Sequence, residues 1–173
     1  MHLRSILEMK KNLDKYCNHI LNENTIILDI GSYDINGTYK KIIPPKWEYK
    51  GVDIQDGSNV DIIMKDPKKI PLNDNSADIV ISGQCLEHCK TPWILVEEMC
   101  RILKKEGFCF ITAPAIWPEH KFPIDCFRYY PDGMRSLMEE AGLTVLDAYV
   151  DPSNGIYRNT INHKTDCWGV GQK

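Results

Sequence analysis

The sequence predicts an α/β protein in which helices cover both faces of a mostly parallel sheet. Short apolar runs that suit buried strands alternate with segments whose apolar residues recur every three or four positions, as in amphipathic helices. Strands that alternate with helices are joined by crossovers and therefore run parallel. A length of 173 residues, of which 43% are hydrophobic, suits one core. We therefore expect a single domain over residues 1–173.

The predicted elements follow one another in a regular order. The helices cover residues 1–21, 92–104 and 131–141, with a short helix that ends at about residue 43. Pro44 cannot continue the short helix, and Lys104 and Gly107 are typical of a helix end. The predicted strands cover residues 25–30, 48–54, 60–64, 77–82, 108–112, 143–150 and 167–171.

Composition and charge exclude several classes of protein. The net charge is −3, whereas a protein that binds many phosphates is usually basic, so we expect no nucleic-acid partner. No run of about 18 apolar residues occurs, so we expect no membrane span. Charged residues interrupt the first 20 positions, which disfavours a signal peptide, and an odd number of cysteines, seven, suits a reducing compartment. We therefore expect a cytoplasmic protein.

Three potential zinc ligands lie close together after the fourth predicted strand. Cys85, His88 and Cys89 would share one face of a helix, which could begin a zinc site. No second Cys/His pair with ligand spacing follows, and free cysteines are commonly buried as small hydrophobic residues. We therefore predict no metal site.

The loops that follow the strands form the predicted binding site, because ligands of open parallel sheets bind beyond the carboxyl ends of the strands. In the first loop, Gly31 lets the backbone turn tightly and approach a ligand closely. Asp53 ends the second strand, 24 residues after Asp29, where a carboxylate can accept hydrogen bonds from both hydroxyls of a ribose. The alternative is that Asp53 only caps a turn. The pattern favours a cofactor that contains a nucleoside.

A dinucleotide is the rival cofactor. Its pyrophosphate needs a Gly-rich turn at a helix N-terminus, whereas the G-x-G-x-x-G pattern is absent and Asp34 lies inside the loop. A carboxylate at about 4 Å from a phosphate costs roughly 1–4 kcal/mol in repulsion, depending on screening. The same carboxylate attracts a cationic sulfonium and ammonium, so the loop favours S-adenosylmethionine over NAD.

Four segments together resemble the motifs of class I S-adenosylmethionine-dependent methyltransferases, of the type 11-like branch that acts on small molecules. They are residues 28–32 (first motif), 51–53 (second motif), 78–88 (fourth-strand signature) and 101–107 (end of the following helix). The usual first motif has further glycines where this chain has Tyr33 and Ile35. The resemblance implies a Rossmann-like, seven-stranded sheet whose last strand, near Trp168, is antiparallel and lies between strands five and six.

The resemblance also implies which residues bind the cofactor. Those at the methionine end are Asp29, Gly31, Ser32, Tyr33 and Asp34; those at the ribose and adenine are Asp53, Ile54, Asp66 and Pro67; and Gln84 lies near the reactive carbon. The sulfonium is an activated methyl donor, so the implied reaction is an in-line displacement that depends mainly on the alignment of donor and acceptor.

The loop over residues 114–131 lies where an acceptor would enter, and it is rich in aromatic residues and prolines. His120 suits the role of general base near neutral pH, and Asp125 could orient its ring. The alternative is that Asp125 pairs with Arg128 and braces the loop while His120 caps a turn. His88 is the second candidate base; alternatively, it begins a helix and bonds to the backbone.

The predicted function is the transfer of a methyl group to an oxygen or nitrogen of a small-molecule or sugar-like acceptor. One alternative is a catalytically inactive nucleotide-binding or scaffold protein of the same fold, and another is an NAD-linked oxidoreductase. We expect Trp93 to lie in the core, whereas Trp117 could stack on a flat acceptor. The expected partner is the acceptor, without membrane or nucleic acid, and a homodimer is left open.

Overall fold

The computed structural model describes residues 3–17, 24–151 and 164–173, which form a seven-stranded sheet with helices on both faces. The strands are β1 (Ile26–Ile30), β2 (Glu48–Asp53), β3 (Ile62–Ile63), β4 (Ala77–Gly83), β5 (Leu103–Ile116), β6 (Thr144–Val150) and β7 (Thr165–Gln172). The helices are α1 (Leu3–Cys17), α2 (Pro92–Ile102) and α3 (Pro131–Glu140), with 3₁₀ turns over Tyr39–Ile42 and Leu86–His88.

The strands lie in the order β3-β2-β1-β4-β5-β7-β6. The first five pair in parallel, and β7 runs antiparallel between β5 and β6. The predicted fold class is therefore confirmed, including the place and direction of the last strand. The strand order reverses between β1 and β4, which is the point where a parallel sheet opens a crevice for a ligand.

Successive side chains of the central strands point to opposite faces of the sheet, so each strand contributes to two cores. On one face Ile27, Ile79 and Phe110 pack with Met9 of α1 and with Trp168. On the other face the neighbouring residues of the same strands pack with residues of α2 and α3, namely Leu28, Val80, Ile111, Met99 and Met134. Burial on both faces explains why these strands have continuous apolar sequences.

Helix α1 covers one face of the sheet. It is observed over Leu3–Cys17 of the predicted segment 1–21, and residues 18–23 lie outside the described part of the chain. Met9, Leu13 and Cys17 recur at helical spacing and are buried. Among the described residues, no helix is both long enough and apolar enough to cross a membrane.

The predicted end of α2 and start of β5 are wrong. The helix ends at Ile102, and β5 begins at Leu103, so Lys104 lies in the strand, where it pairs with both carboxylate oxygens of Asp78 at 2.9 Å. Glu106, with φ of +64°, adopts the left-handed conformation, and Gly107 does not. A Cβ at Gly107 would lie 2.9 Å from the backbone oxygen of Asp78, so this glycine permits close strand packing.

The prediction that Trp93 belongs to the core is also wrong, since the residue is 48% exposed. It is the second residue of α2, whose buried stripe is centred on Leu95, Met99 and Ile102. Trp93 lies off the centre of that stripe, on the side that faces solvent.

Candidate active site

A cavity of about 780 Å³ opens at the carboxyl ends of the strands, where the strand order reverses. One part of its wall comes from the loops after β1, β2, β3 and β4 and includes six of the predicted cofactor residues: Gly31, Tyr33, Asp53, Ile54, Pro67 and Gln84. The other part includes His88, Trp117, His120 and Phe122. We call these parts the strand-end side and the histidine side. The volume of this cavity is typical of pockets that hold small molecules and cofactors.

Gly31 occupies a position that only glycine fits well. Its φ is +80°, and a Cβ there would lie 2.6 Å from both Cβ and Sγ of Cys85. The turn is held by a 2.9 Å hydrogen bond from the Gly31 N–H to the carbonyl of Val52. The absence of a side chain therefore allows close packing against Cys85, and Gly31 itself lies on the cavity wall.

Asp53 caps a turn and still has acceptor positions left for a ligand. Its Oδ2 accepts a 3.0 Å hydrogen bond from the Tyr33 N–H, and its Oδ1 accepts one of 3.0 Å from the Gln55 N–H, so the carboxylate does cap a turn. A carboxylate has about four lone-pair sites, so two remain for the hydroxyls of a ribose. Asp53 also lines the cavity beside Ile54, an apolar side chain that is 55% exposed.

Gln84 is strained and carries an unpartnered donor. Its φ of +57° is uncommon for a residue other than glycine, and its N–H donates to the carbonyl of Thr112 at 3.0 Å. The amide nitrogen Nε2 is buried without a hydrogen-bond partner in the described part of the chain. Local strain and an unsatisfied donor on a cavity wall are typical of a ligand-binding position.

Four predicted cofactor residues do not line this cavity. Ser32 donates to the carbonyl of Asn59 at 3.0 Å, and Asp34 accepts the Gly37 N–H at 2.6 Å within the first loop. Asp66 is exposed and accepts the N–H of Lys68 at 2.9 Å. The fourth, Asp29, is buried beneath the loop. The roles of all four in cofactor binding stay predictions.

Asp29 is a buried carboxyl group whose side chain accepts a 2.6 Å hydrogen bond from the hydroxyl of Tyr49. Burial raises its pKa from 3.8 to about 7, the hydrogen bond from Tyr49 opposes that rise, and the negative charge of Asp53 adds to it. The folded protein therefore holds this proton at pH values where the unfolded chain has released it. Its contribution to stability is present below the unfolded pKa and is lost as the pH rises through the folded pKa.

We therefore expect the stability of Asp29→Asn, measured relative to the wild type, to rise with pH. Asparagine keeps the shape and does not ionise, so the free energy of unfolding of the variant should gain about 2 kcal/mol on the wild type between pH 5 and pH 8. Denaturant unfolding of both proteins at the two pH values measures this difference, and titrating groups that do not interact with residue 29 cancel in the comparison. A constant difference would contradict the raised pKa.

The histidine side brings together two imidazoles from distant parts of the chain. His88 ends the 3₁₀ turn after β4, and its Nδ1 lies 2.6 Å from the carbonyl oxygen of Ile124. His120 lies in the long loop after β5, and the two rings pack edge to face with centroids 5.0 Å apart. Trp117 packs beside His120 at a centroid distance of 5.7 Å. The side chain of His120 is 41% exposed, against 17% for His88.

Asp125 is bound mainly to Arg128. Its carboxylate makes a bidentate pair with the guanidinium at 2.5 and 2.6 Å and accepts the backbone N–H of His120 at 2.7 Å. The guanidinium holds the pKa of Asp125 well below its usual range. The ring Nδ1 of His120 lies 3.6 Å from Asp125 Oδ2, beyond a direct hydrogen bond. The loop-bracing alternative therefore describes contacts that are present, and the orienting role stays a prediction.

The sequence reasoning missed Glu87. Its side chain is fully buried, and both carboxylate oxygens lack a hydrogen-bond partner among the described residues. Its Oε1 lies 3.7 Å from Nε2 of His88 and 3.9 Å from Nε2 of His120. Burial raises its pKa to about 8. The sequence feature that could have identified Glu87 is its position between Leu86 and His88, shortly after a buried strand.

Comparisons with known proteins match part of this chain to methyltransferases. The family model described as a methyltransferase domain (type 11) matches residues 28–111. An uncharacterized methyltransferase of Mycobacteroides abscessus is 40% identical over 48 residues, which are 28% of this chain and 18% of that relative. This chain therefore matches less than a fifth of the length of that relative.

Solved structures share the fold. The YcgJ protein of Bacillus subtilis has a TM-score of 0.72 at 15% identity, with 99% of each chain covered. A SAM-dependent methyltransferase from Aquifex aeolicus has a TM-score of 0.63 at 16% identity, with 99% of this chain and 98% of that chain covered. At these identities the likeness shows the fold alone. Residues 28–111, just under half of the chain, therefore resemble a methyltransferase domain, and the cofactor that the comparisons indicate is S-adenosylmethionine.

Proposed function

We propose that this chain transfers a methyl group from S-adenosylmethionine to an oxygen or nitrogen of a small-molecule or sugar-like acceptor. The observation that carries the proposal is the continuous cavity, in which predicted cofactor residues face two histidines and two aromatic rings across one space. A donor on the strand-end side would thus lie beside an acceptor on the histidine side. Holding both reactants in one cavity replaces a bimolecular encounter.

The strand-end side fits S-adenosylmethionine. Gly31 places the loop backbone on the cavity wall, Asp53 keeps free acceptor positions for ribose hydroxyls, and Gln84 offers an unpartnered amide donor. Ile35 and Ile54 are exposed apolar side chains that can cover an apolar part of the ligand. When bound, the cofactor supplies a methyl group on a cationic sulfur.

The histidine side supports removal of a proton from the acceptor. His120 is the better exposed of the two imidazoles, and it lies on the wall of the cavity. His88 is the second candidate, since its Nδ1 is bound to the carbonyl of Ile124 and its Nε2 faces Glu87. Trp117 and Phe122 provide ring surfaces for the carbon skeleton of a small acceptor.

The first test is calorimetric titration of the purified protein with S-adenosylmethionine and S-adenosylhomocysteine, with NAD as the negative control. Micromolar binding of the first two ligands is expected. A screen of hydroxyl- and amine-containing small molecules with isotopically labelled methyl donor then identifies the acceptor. Absence of binding by both sulfur ligands would overturn the proposal in favour of a scaffold protein, and binding of NAD alone would favour an oxidoreductase.

We expect Asp53→Ala to weaken the binding of S-adenosylmethionine about 100-fold. The substitution removes charge-assisted hydrogen bonds, each worth about 1.5–3 kcal/mol, to the ribose and the loop. Asp53→Asn keeps the shape and one acceptor oxygen, so its affinity should lie between those of Asp53→Ala and the wild type. Asp56→Ala, an exposed carboxylate outside the cavity lining, is the matched control. Calorimetry that gave Asp53→Ala the affinity of this control would remove Asp53 from the cofactor site.

A further inference from the structure

Glu87, His88 and His120 form a compact cluster at the wall of the cavity. One ligand atom of each lies within 4.8 Å of the other two. The carboxylate of Glu87 is fully buried, and neither of its oxygens has a hydrogen-bond partner among the residues described. A buried carboxyl group without a partner is costly, and a bound cation would give its oxygens one.

The orientation of both imidazoles points their Nε2 atoms at that carboxylate. His88 places its Nδ1 2.6 Å from the carbonyl oxygen of Ile124, which fixes the proton on Nδ1 and leaves the Nε2 lone pair free. His120 turns its Nδ1 toward Asp125, at 3.6 Å, and its Nε2 toward Glu87, at 3.9 Å. The ring N–H of His88 directed at a carbonyl is the usual outer-sphere support of a metal-binding histidine, whereas Asp125 lies beyond a direct hydrogen bond from His120.

We propose that Glu87, His88 and His120 bind a divalent transition-metal ion of the zinc class. Two imidazoles and one carboxylate are a donor set that zinc uses at sites with an open position. Tetrahedral bonds of about 2.0–2.1 Å place ligand atoms about 3.3 Å apart. The cluster would therefore tighten by about 1 Å, which requires mainly a movement of the half-exposed His120 side chain.

The position of the cluster gives the ion a role that rests on the proposed function. His88 and His120 both line the cavity, so a fourth coordination position would face the acceptor. A metal-bound hydroxyl loses its proton more readily than a free one. A bound ion occupies the Nε2 lone pair of His120, so this imidazole cannot then act as the base. With the metal bound, the ion activates the acceptor instead.

Titration of chelator-treated protein with Co²⁺ and then Zn²⁺ tests the site independently of activity. We expect one equivalent of Co²⁺ to bind with a visible d–d absorption band, and Zn²⁺ to displace it. His88→Gln and His120→Gln should each weaken binding at least roughly 100-fold. Glu87→Gln should weaken metal binding by a similar factor. If this variant does not fold, the two histidine variants alone test the metal site.

The control is a Cys85→Ser/Cys89→Ser double variant, because both thiols lie in the same stretch of chain and bind zinc readily. Binding retained in this control supports the cluster. Absence of stoichiometric binding in the wild type, binding that survives both histidine variants, or binding lost in the cysteine variant would each overturn it. Calorimetry with S-adenosylmethionine on the same samples separates failure of the metal site from failure of the proposed function.

Discussion

Gly31→Ala is expected to lower the free energy of unfolding by about 2–4 kcal/mol and to abolish the binding of S-adenosylmethionine. An alanine at φ of +80° costs about 1–2 kcal/mol in backbone strain alone. The added Cβ would also lie 2.6 Å from Cβ and Sγ of Cys85, so the first loop or the turn after β4 must shift. Both segments form the strand-end side of the cavity, which explains why stability and binding should fail together.

Gly133→Ala is the matched control for this prediction. Gly133 lies in α3, and apart from its chain neighbours and the backbone of its own helix no atom lies within 4 Å of an added Cβ, so alanine should leave stability unchanged or raise it by about 0.5–1 kcal/mol. Denaturant unfolding gives the stabilities, and calorimetry at a temperature where both variants are folded gives the affinities. Wild-type affinity in Gly31→Ala would mean that the first loop does not contact the cofactor.

Local sequence was sufficient for the parallel part of the sheet. Burial on both faces gives β1 and β4 continuous apolar sequences, and such runs can be recognised without knowledge of their partners. Gly31 follows a predicted strand and Asp53 ends another. Both residues could therefore be placed in the site from the predicted positions of the strands. Both line the cavity.

Tertiary contacts decided what local sequence could not. Lys104 and Lys105 suit a helix end by composition, yet pairing with β4 and the ion pair between Lys104 and Asp78 extend β5 back to Leu103. This gain in strand pairing outweighs the local preference for a helix. The boundary between α2 and β5 was therefore set by a partner strand that lies more than 20 residues earlier.

Glu87 shows the same limit within the site. Glutamate is almost never fully buried without a partner, so its residue type alone predicts an exposed position. Its burial results from the long loop after β5, whose Cys126 donates its N–H to the Glu87 carbonyl at 2.7 Å and whose His120 covers the carboxylate. Both contacts join residues more than 30 positions apart, and no periodic pattern in the sequence predicts them.

His120→Gln is expected to lower turnover about 100- to 10,000-fold while leaving the affinity for S-adenosylmethionine unchanged. Loss of a positioned proton acceptor typically costs that much, and His120 lies on the histidine side, away from the strand-end loops.

The kinetics of this variant, measured on the acceptor that the screen identifies, also distinguish the two ways of activating that acceptor. If the imidazole is the base, chelator-treated wild type keeps its turnover; if a bound metal ion is required, chelation reduces turnover as the substitution does. Glu119→Gln, an exposed neighbour that pairs only with Lys121 among the described contacts, should behave as the wild type. Normal turnover in His120→Gln would transfer the role of base to His88, which His88→Gln then tests. Normal turnover in both variants would mean that the acceptor reacts without a base, so that alignment in the cavity alone supplies the catalysis.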